Sequence, residues 1–218
     1  PVWRVTTINE NHSFCSSYPS YLVVPSRTTD PDLQKARLFR SKDRIPALTW
    51  HNAENQASLM RSSQPMVKMK GKRSLFDEKL IVDAQVSFIV DARKQTAAVA
   101  NQIFRGGGVE NNLNYSCELE FMGISNIHDV RESYSNFCQH LESFRANEEA
   151  GVEGDNFHTG IEKSAWLKYL KKILQAGHWV AKKLAAGSSV LVHCSDGWDR
   201  TAQICCIAEI ILDPYYRT

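Results

Sequence analysis

The 218-residue chain is 43% hydrophobic and carries 26 Lys and Arg against 24 Asp and Glu, a formal net charge of +2. This length fits one domain with a full core better than two, and the near-neutral balance excludes a global field for nucleic acid, so attraction to any anionic surface has to be local. Six cysteines without C-x-x-C pairs, no signal-peptide pattern and no stretch near the roughly 18 apolar residues of a transmembrane helix predict a reduced, soluble, cytoplasmic protein that meets membranes from the water side.

In chain order, Tyr21 to Val24 is a strand candidate. Asp30 followed by Pro31 opens a short helix ending near Phe39, with Asp as cap and Pro in the first turn. Arg40, Lys42 and Arg44 read either as contacts for acidic headgroups or as charge guarding a surface strand edge. Ala47 to His51 and Ala57 to Ser62 flank the polar Asn52 to Gln56 and predict a hairpin. Leu75 to Val82 is helical, Val86 to Val90 a buried strand, and Gln95 to Phe104 a helix stopped by Gly106 to Gly108. Glu118 to Met122 is a strand, and Ile127 to Phe144 and Ile161 to Ala186 are helices.

In the last of these, Thr159 and Glu162 have capping-box spacing, and Trp166, Leu170, Ile173, Gly177, Val180 and Leu184 form the face that packs on a sheet. Lys163, Lys168, Lys171, Lys172, Lys182 and Lys183 read as a solvated face rather than a membrane patch. Strands alternating with helices imply an α/β fold with a mainly parallel central sheet flanked by helices, with ligands bound at the carboxyl ends of the strands. Asp91, Gly123 and Cys194 fall at such ends. His128, His158 and His178 lack metal-ligand spacing, so neither a metal nor another cofactor is assigned.

The most informative stretch is His193-Cys-Ser-Asp-Gly-Trp-Asp-Arg-Thr201. It follows the β-branched run Ser189 to Val192 and precedes the apolar pattern Ala202 to Leu212, which Pro214 stops. In a strand-loop-helix unit the first helical amides lack intrahelical partners and the dipole is positive, so the loop is an anion trap. Gly197 lets the backbone curl around the anion. A thiol there has a lowered pKa and can attack phosphorus, and Arg200 can fork onto two phosphate oxygens. Asp196 and Asp199 are the carboxyls available for proton transfer, with Asp199, beside Arg200, the first choice. His193 reads as a strand-end histidine whose ring stiffens the loop.

This string resembles the active-site loop of the myotubularins, a branch of the cysteine-dependent phosphatases. So do Arg40 to Trp50, Ser63 to Pro65, Gly71 to Ser74, Asp91 to Arg93, Ala98 to Asn101, Gly106 to Gly108, Asn126 to His128 and Leu212 to Thr218. The resemblance implies a protein-tyrosine-phosphatase-like domain that removes the 3-phosphate of phosphatidylinositol 3-phosphate and 3,5-bisphosphate. It maps the covalent nucleophile to Cys194 and the loop arginine to Arg200. Substrate contacts map to Ser195, Asp196, Gly197, Trp198 and Asp199 in the loop, and to Asn101, Asn126 and Ile127 outside it.

Family members with a substituted cysteine or arginine are inactive regulators; both residues are present here. The resemblance further implies peripheral association with endosomal or other membranes, possible homodimers or heterodimers within the family, and that residues 1–218 are part of a longer protein with a PH-GRAM-type domain and a further catalytic segment. Two alternatives stay open: a tyrosine or dual-specificity protein phosphatase, which uses the same loop chemistry, and a non-catalytic phosphoinositide-binding regulatory partner.

Overall fold

The computed structural model describes residues 3–67, 71–111, 113–151 and 156–218. Two short strands, β1 (Trp3–Thr6) and β2 (Leu22–Pro25), pair antiparallel as a separate ribbon. The main sheet contains β3 (Ala47–His51), β4 (Ser58–Ser62), β5 (Val86–Asp91), β6 (Glu118–Phe121) and β7 (Ser189–His193), in the order β3-β4-β7-β5-β6. β3 and β4 form the expected hairpin, and the other three neighbouring pairs are parallel. Parallel neighbours require crossovers, and helices supply them. α1 (Asp30–Arg37) precedes this sheet, α2 (Leu75–Asp83) joins β4 to β5, and α3 (Gln95–Arg105) joins β5 to β6. α4 (Ile127–Ala150), α5 (Phe157–Ser164) and α6 (Trp166–Ala185) lead to β7, and α7 (Arg200–Leu212) follows it.

β7 is central and buried at every residue, as its β-branched run requires. The period of two divides the core between the two faces of the sheet. Leu59, Phe88, Val90, Val190 and Val192 pack with Ile173, Val180 and Leu184 of α6 and Ile204 and Ala208 of α7. Met60, Ile89 and Leu191 pack with Leu33 of α1 and Leu80 and Ile81 of α2. Cys194 continues the first set, so His193, one residue before it, turns to the other face.

Several local expectations are corrected. The cap of α1 is Thr29, not Asp30: Thr29 Oγ1 accepts from Asp32 N, and the Asp32 carboxylate accepts from Thr29 N. α4 runs past Phe144 to Ala150, a polar extension carrying the i,i+4 pair Arg145–Glu149. The helix expected over 161–186 is two helices that meet at Ala165, where φ is +60°. Ser164 Oγ donates to Ile161 O at 2.6 Å and accepts from Trp166 N at 3.3 Å, competing with the helical ladder.

Thr159 and Glu162 therefore lie inside α5, which Asn156 caps by accepting from His158 N. Ile173, Gly177, Val180 and Leu184 are buried as expected, but Trp166 pairs with Tyr134 of α4, ring centroids 5.0 Å apart. Lys163, Lys168, Lys171 and Lys182 are exposed as a solvated face requires, whereas Lys172 and Lys183 are half-buried. The Lys183 ammonium lies 4.1 Å from the centroid of the Phe88 ring, Lys172 donates to Gly123 O, and Lys163 belongs to α5.

Candidate active site

The loop between β7 and α7 is tied down on both sides by backbone hydrogen bonds. Ala92 N donates to His193 O at 2.8 Å, and Gln64 N donates to Ser195 O at 3.0 Å. Gly197 sits at φ +77°, and a Cβ there would lie 2.2 Å from the carbonyl oxygen of Ser62. The loop can therefore press against the end of β4 only with glycine at this position. Gly197→Ala is expected to push the loop outward and lower turnover by roughly 10- to 100-fold, since a displacement near 1 Å at a reacting centre has that effect. Initial rates, read alongside a thermal melt, check this.

Two guanidinium groups, Arg44 at 2.9 Å and Arg61 at 2.6 Å, donate to the Gly197 carbonyl. Their pull polarises the same peptide's N–H, that of Trp198. The amides of Ser195, Asp196, Trp198 and Asp199 make no hydrogen bond to any described residue, while that of Gly197 donates to Cys194 Sγ at 3.3 Å. The first four are the unpaired donors of an anion site at the start of α7.

Cys194 is 2% exposed. Burial raises the pKa of its thiol, but hydrogen bonding from the Thr201 hydroxyl and amide, the Arg200 guanidinium and the Gly197 amide outweigh burial, so the pKa is lowered. Thr201 Oγ1 is buried without a hydrogen-bond partner of normal geometry among the described residues. A thiolate is a stronger acceptor than a thiol, so the hydroxyl would turn towards the ionised sulfur. By contrast, burial pushes the thiol of Cys205, on α7, far up, so the lowered thiol is a property of the loop rather than of every buried cysteine.

Above the loop is a cleft of about 900 Å³. Ser195, Asp196, Trp198, Asp199 and Arg200 line it from the loop, Asn101 from α3, and Asn126 and Ile127 from the start of α4. The outer residues expected from the sequence thus meet at one cavity. Arg200 makes two long contacts, to Ile124 O at 3.4 Å and Ser195 Oγ at 3.3 Å, which leave the fork free to reorient. Asn101 Nδ2 donates to the same Ser195 Oγ at 3.3 Å. Asn126 caps α4, its Oδ1 accepting from His128 N and Asp129 N. Asp196 accepts from Ser41 Oγ at 3.0 Å, whereas the Asp199 carboxylate receives no hydrogen bond among the described residues. Lys94, Phe104, His128 and Asp129 also line the cleft, a contribution that nothing in their local sequence announced.

Arg40 and Arg44 overturn their reading as surface charge, since each is only 2% exposed. Arg44 donates to Ser17 and packs over Tyr18, 4.3 Å from the ring centroid. Arg40 forks onto Asp77 of α2 at 2.8 and 2.6 Å and reaches Glu110 at 2.7 Å. Only Lys42 of the three is exposed. Gly106 ends α3 at φ +70°, the helix stop expected, and the following turn brings the Gly108 carbonyl to Arg93 at 2.8 Å. Among the described residues no cluster of three His, Cys, Asp or Glu could hold a metal ion, and no helix is long and apolar enough to cross a membrane.

Comparison with known proteins agrees with this architecture. Residues 1–218 match the family model described as "Myotubularin-like phosphatase domain". The chain is 44% identical to "Myotubularin" of Xenopus laevis over 225 residues, covering 99% of this chain and 36% of that protein. It is 43% identical to "Phosphatidylinositol-3,5-bisphosphate 3-phosphatase MTMR2" of Mus musculus, covering 99% of this chain and 34% of that protein. The chain thus spans about a third of the length of these relatives. An unpaired set of loop amides around a thiol of lowered pKa, at the end of the central strand of a mainly parallel sheet, is what a phosphatase of this class needs, and the match along the whole chain places it in the myotubularin-like phosphatase domain family.

Proposed function

We propose that this chain carries the catalytic loop of a phosphoinositide 3-phosphatase, acting on phosphatidylinositol 3-phosphate and phosphatidylinositol 3,5-bisphosphate from the water side of a membrane. The observation that carries the reading is Cys194, a thiol of lowered pKa at the start of a loop whose next residues, Ser195, Asp196, Trp198, Asp199 and Arg200, line the cleft and whose amides at Ser195, Asp196, Trp198 and Asp199 are unpaired among the described residues. The relative named as a phosphatidylinositol-3,5-bisphosphate 3-phosphatase supports the substrate class.

In the first step Cys194 Sγ attacks phosphorus in line with the inositol oxygen. The S–P bond forms, the P–O bond breaks, and its electron pair leaves on the inositol oxygen, which takes a proton from Asp199. Arg200 and the loop amides hold the non-bridging oxygens as charge spreads over them. In the second step water attacks the cysteinyl-phosphate, Asp199 takes the water's proton, and the thiolate leaves. Asn101, through Ser195, sets where the Arg200 fork lies, while Asn126, Ile127 and Trp198 border the headgroup. Asp199 is preferred over Asp196 because Ser41 engages the latter.

A lipid substrate is favoured over a phosphoprotein by the apolar surroundings of the cleft. Phe104, 82% exposed, lines it beside Trp198 and Ile127, and Val99 and Ile103 are further exposed apolar residues of α3. A bilayer accommodates such a surface, and a phosphopeptide in water does not require it. Ile103→Glu is expected to cut the rate on substrate held in vesicles several-fold while leaving short-chain, dissolved substrate unaffected. Paired assays on the two substrate forms measure this.

Phosphate release from a panel of short-chain phosphoinositides and a phosphotyrosine peptide tests the function itself. Release confined to the 3-phosphorylated lipids supports the proposal. Faster release from the peptide points to a protein phosphatase, and headgroup binding without release points to a regulatory partner.

A further inference from the structure

Beneath the loop, on the face of the sheet opposite Cys194, lies a set of ionisable groups that the mechanism above does not use. Arg40, Asp77, Asp91, Arg93, Glu110 and His193 are all buried, none more than 4% exposed. Asp91 and Arg93 form a bidentate pair at the end of β5, Arg40 and Asp77 form another, and Glu110 bridges Arg40 to His193. Tyr115 donates to Asp77 at 2.8 Å. Two guanidiniums thus face three carboxylates, and the set is neutral only if His193 carries a proton on both ring nitrogens.

The hydrogen bonds of His193 require the same state. Its Nε2 lies 3.1 Å from Glu110 Oε2 and its Nδ1 lies 3.1 Å from the carbonyl oxygen of Cys194. Both partners are acceptors, and a neutral imidazole has one N–H for the two of them. Independently of His193, Glu110 Oε1 accepts from the buried Arg40 guanidinium at 2.7 Å, a charge-assisted bond that favours the ionised carboxylate. The carboxylate is therefore ionised and cannot be the donor.

We infer that Glu110 is a positioning residue of the reaction: by accepting from Nε2 of His193 it fixes the ring as an imidazolium whose Nδ1–H holds the Cys194 carbonyl. The consequence reaches the chemistry by two routes. The hydrogen bond on that carbonyl polarises the N–H of the same peptide, that of Ser195, which is one of the unpaired amides of the anion site. The positive ring, adjacent in sequence to the sulfur and shielded from water, also favours the thiolate. The charged groups that face His193 are Glu110, Asp91 and Arg93, with Arg40 and Asp77 behind Glu110. Glu110→Gln leaves the other four balanced two against two and removes the acceptor that needs the second ring proton.

The inference rests on Cys194 being the nucleophile, but its test needs no turnover, so a failure of the phosphatase reading would show separately in the release assay. The rate of Cys194 alkylation by iodoacetamide is followed against pH by peptide mass spectrometry, in the wild type and in Glu110→Gln. The expected result is an upward shift of the midpoint by about one pH unit, a tenfold smaller thiolate fraction at pH values below both midpoints. A lower melting temperature with an unchanged midpoint would mean that Glu110 is merely structural and would overturn the inference. If Glu110→Gln does not fold, the nitrogen-15 spectrum of the wild-type His193 ring decides. Two protonated nitrogens at pH 7.5 support the inference, and a single neutral tautomer overturns it.

Discussion

Cys194→Ser is expected to lower phosphate release by roughly 10⁴-fold or more, the scale seen when the nucleophile of a covalent mechanism is removed. The loop is built around ionising this atom: the lowered thiol pKa, the Gly197 amide at 3.3 Å and the unpartnered Thr201 hydroxyl all favour negative charge on sulfur. A serine hydroxyl stays protonated in the same surroundings and, being nearly isosteric, leaves the amides and Arg200 in place. Binding of a 3-phosphorylated headgroup should therefore survive, and titration calorimetry beside the release assay separates the two effects. Loss of binding together with turnover would mean that the sulfur helps hold the loop's shape, and that the catalytic reading overstates its role.

The largest expected effect on stability comes from Arg40→Leu. The guanidinium is wholly buried and makes charge-assisted bonds to Asp77 and Glu110 and a further one to Ser63 O. Removing it leaves the buried Asp77 and Glu110 carboxylates without the guanidinium they share, and breaking a buried pair in this way costs about 3–5 kcal/mol. That is a large share of the roughly 5–15 kcal/mol that holds a domain folded. A urea titration should show a midpoint shifted well down with little change in slope.

The same cluster gives a pH dependence of defined sign. The Glu110 pKa is lowered on folding, so its contribution is present above its ordinary value of 4.5 and lost as pH falls below it. The His193 pKa is raised, so its contribution is full below its ordinary value of 6.5 and lost as pH rises through the folded value. The melting temperature of the wild type should fall in acid through the first effect, and in Arg40→Leu this acid limb should shrink, because one of the charges that depresses the Glu110 pKa is gone.

How much of this was legible beforehand differs from residue to residue. The β-branched run before Cys194 and the apolar pattern after Arg200 identified strand, loop and helix, because those signals lie in neighbouring residues and the period of the side chains. The break at Ala165 was not legible: an apolar face continues across it, and the Ser164 hydroxyl that interrupts the ladder is also compatible with a helix interior. Asn101 and Asn126 had little to distinguish them locally. One is a helix amide that reaches Ser195, the other an N-cap, and their common cleft exists only once α3 and α4 are set beside β7.

The sequence by itself determined which residues form the loop, the order of the elements and most of their extents, because each depends on residues a few positions apart. Only the tertiary structure decided what Arg40, Arg44 and Glu110 do. Arg40 reads as surface charge beside Lys42, yet its partners lie 37 and 70 residues away, and Glu110 meets His193 across 83. A buried charge persists only where an opposite charge and the remaining hydrogen-bond partners are brought to it. That meeting is made by the parallel register that aligns the ends of β5 and β7, with Asp91 opposite His193.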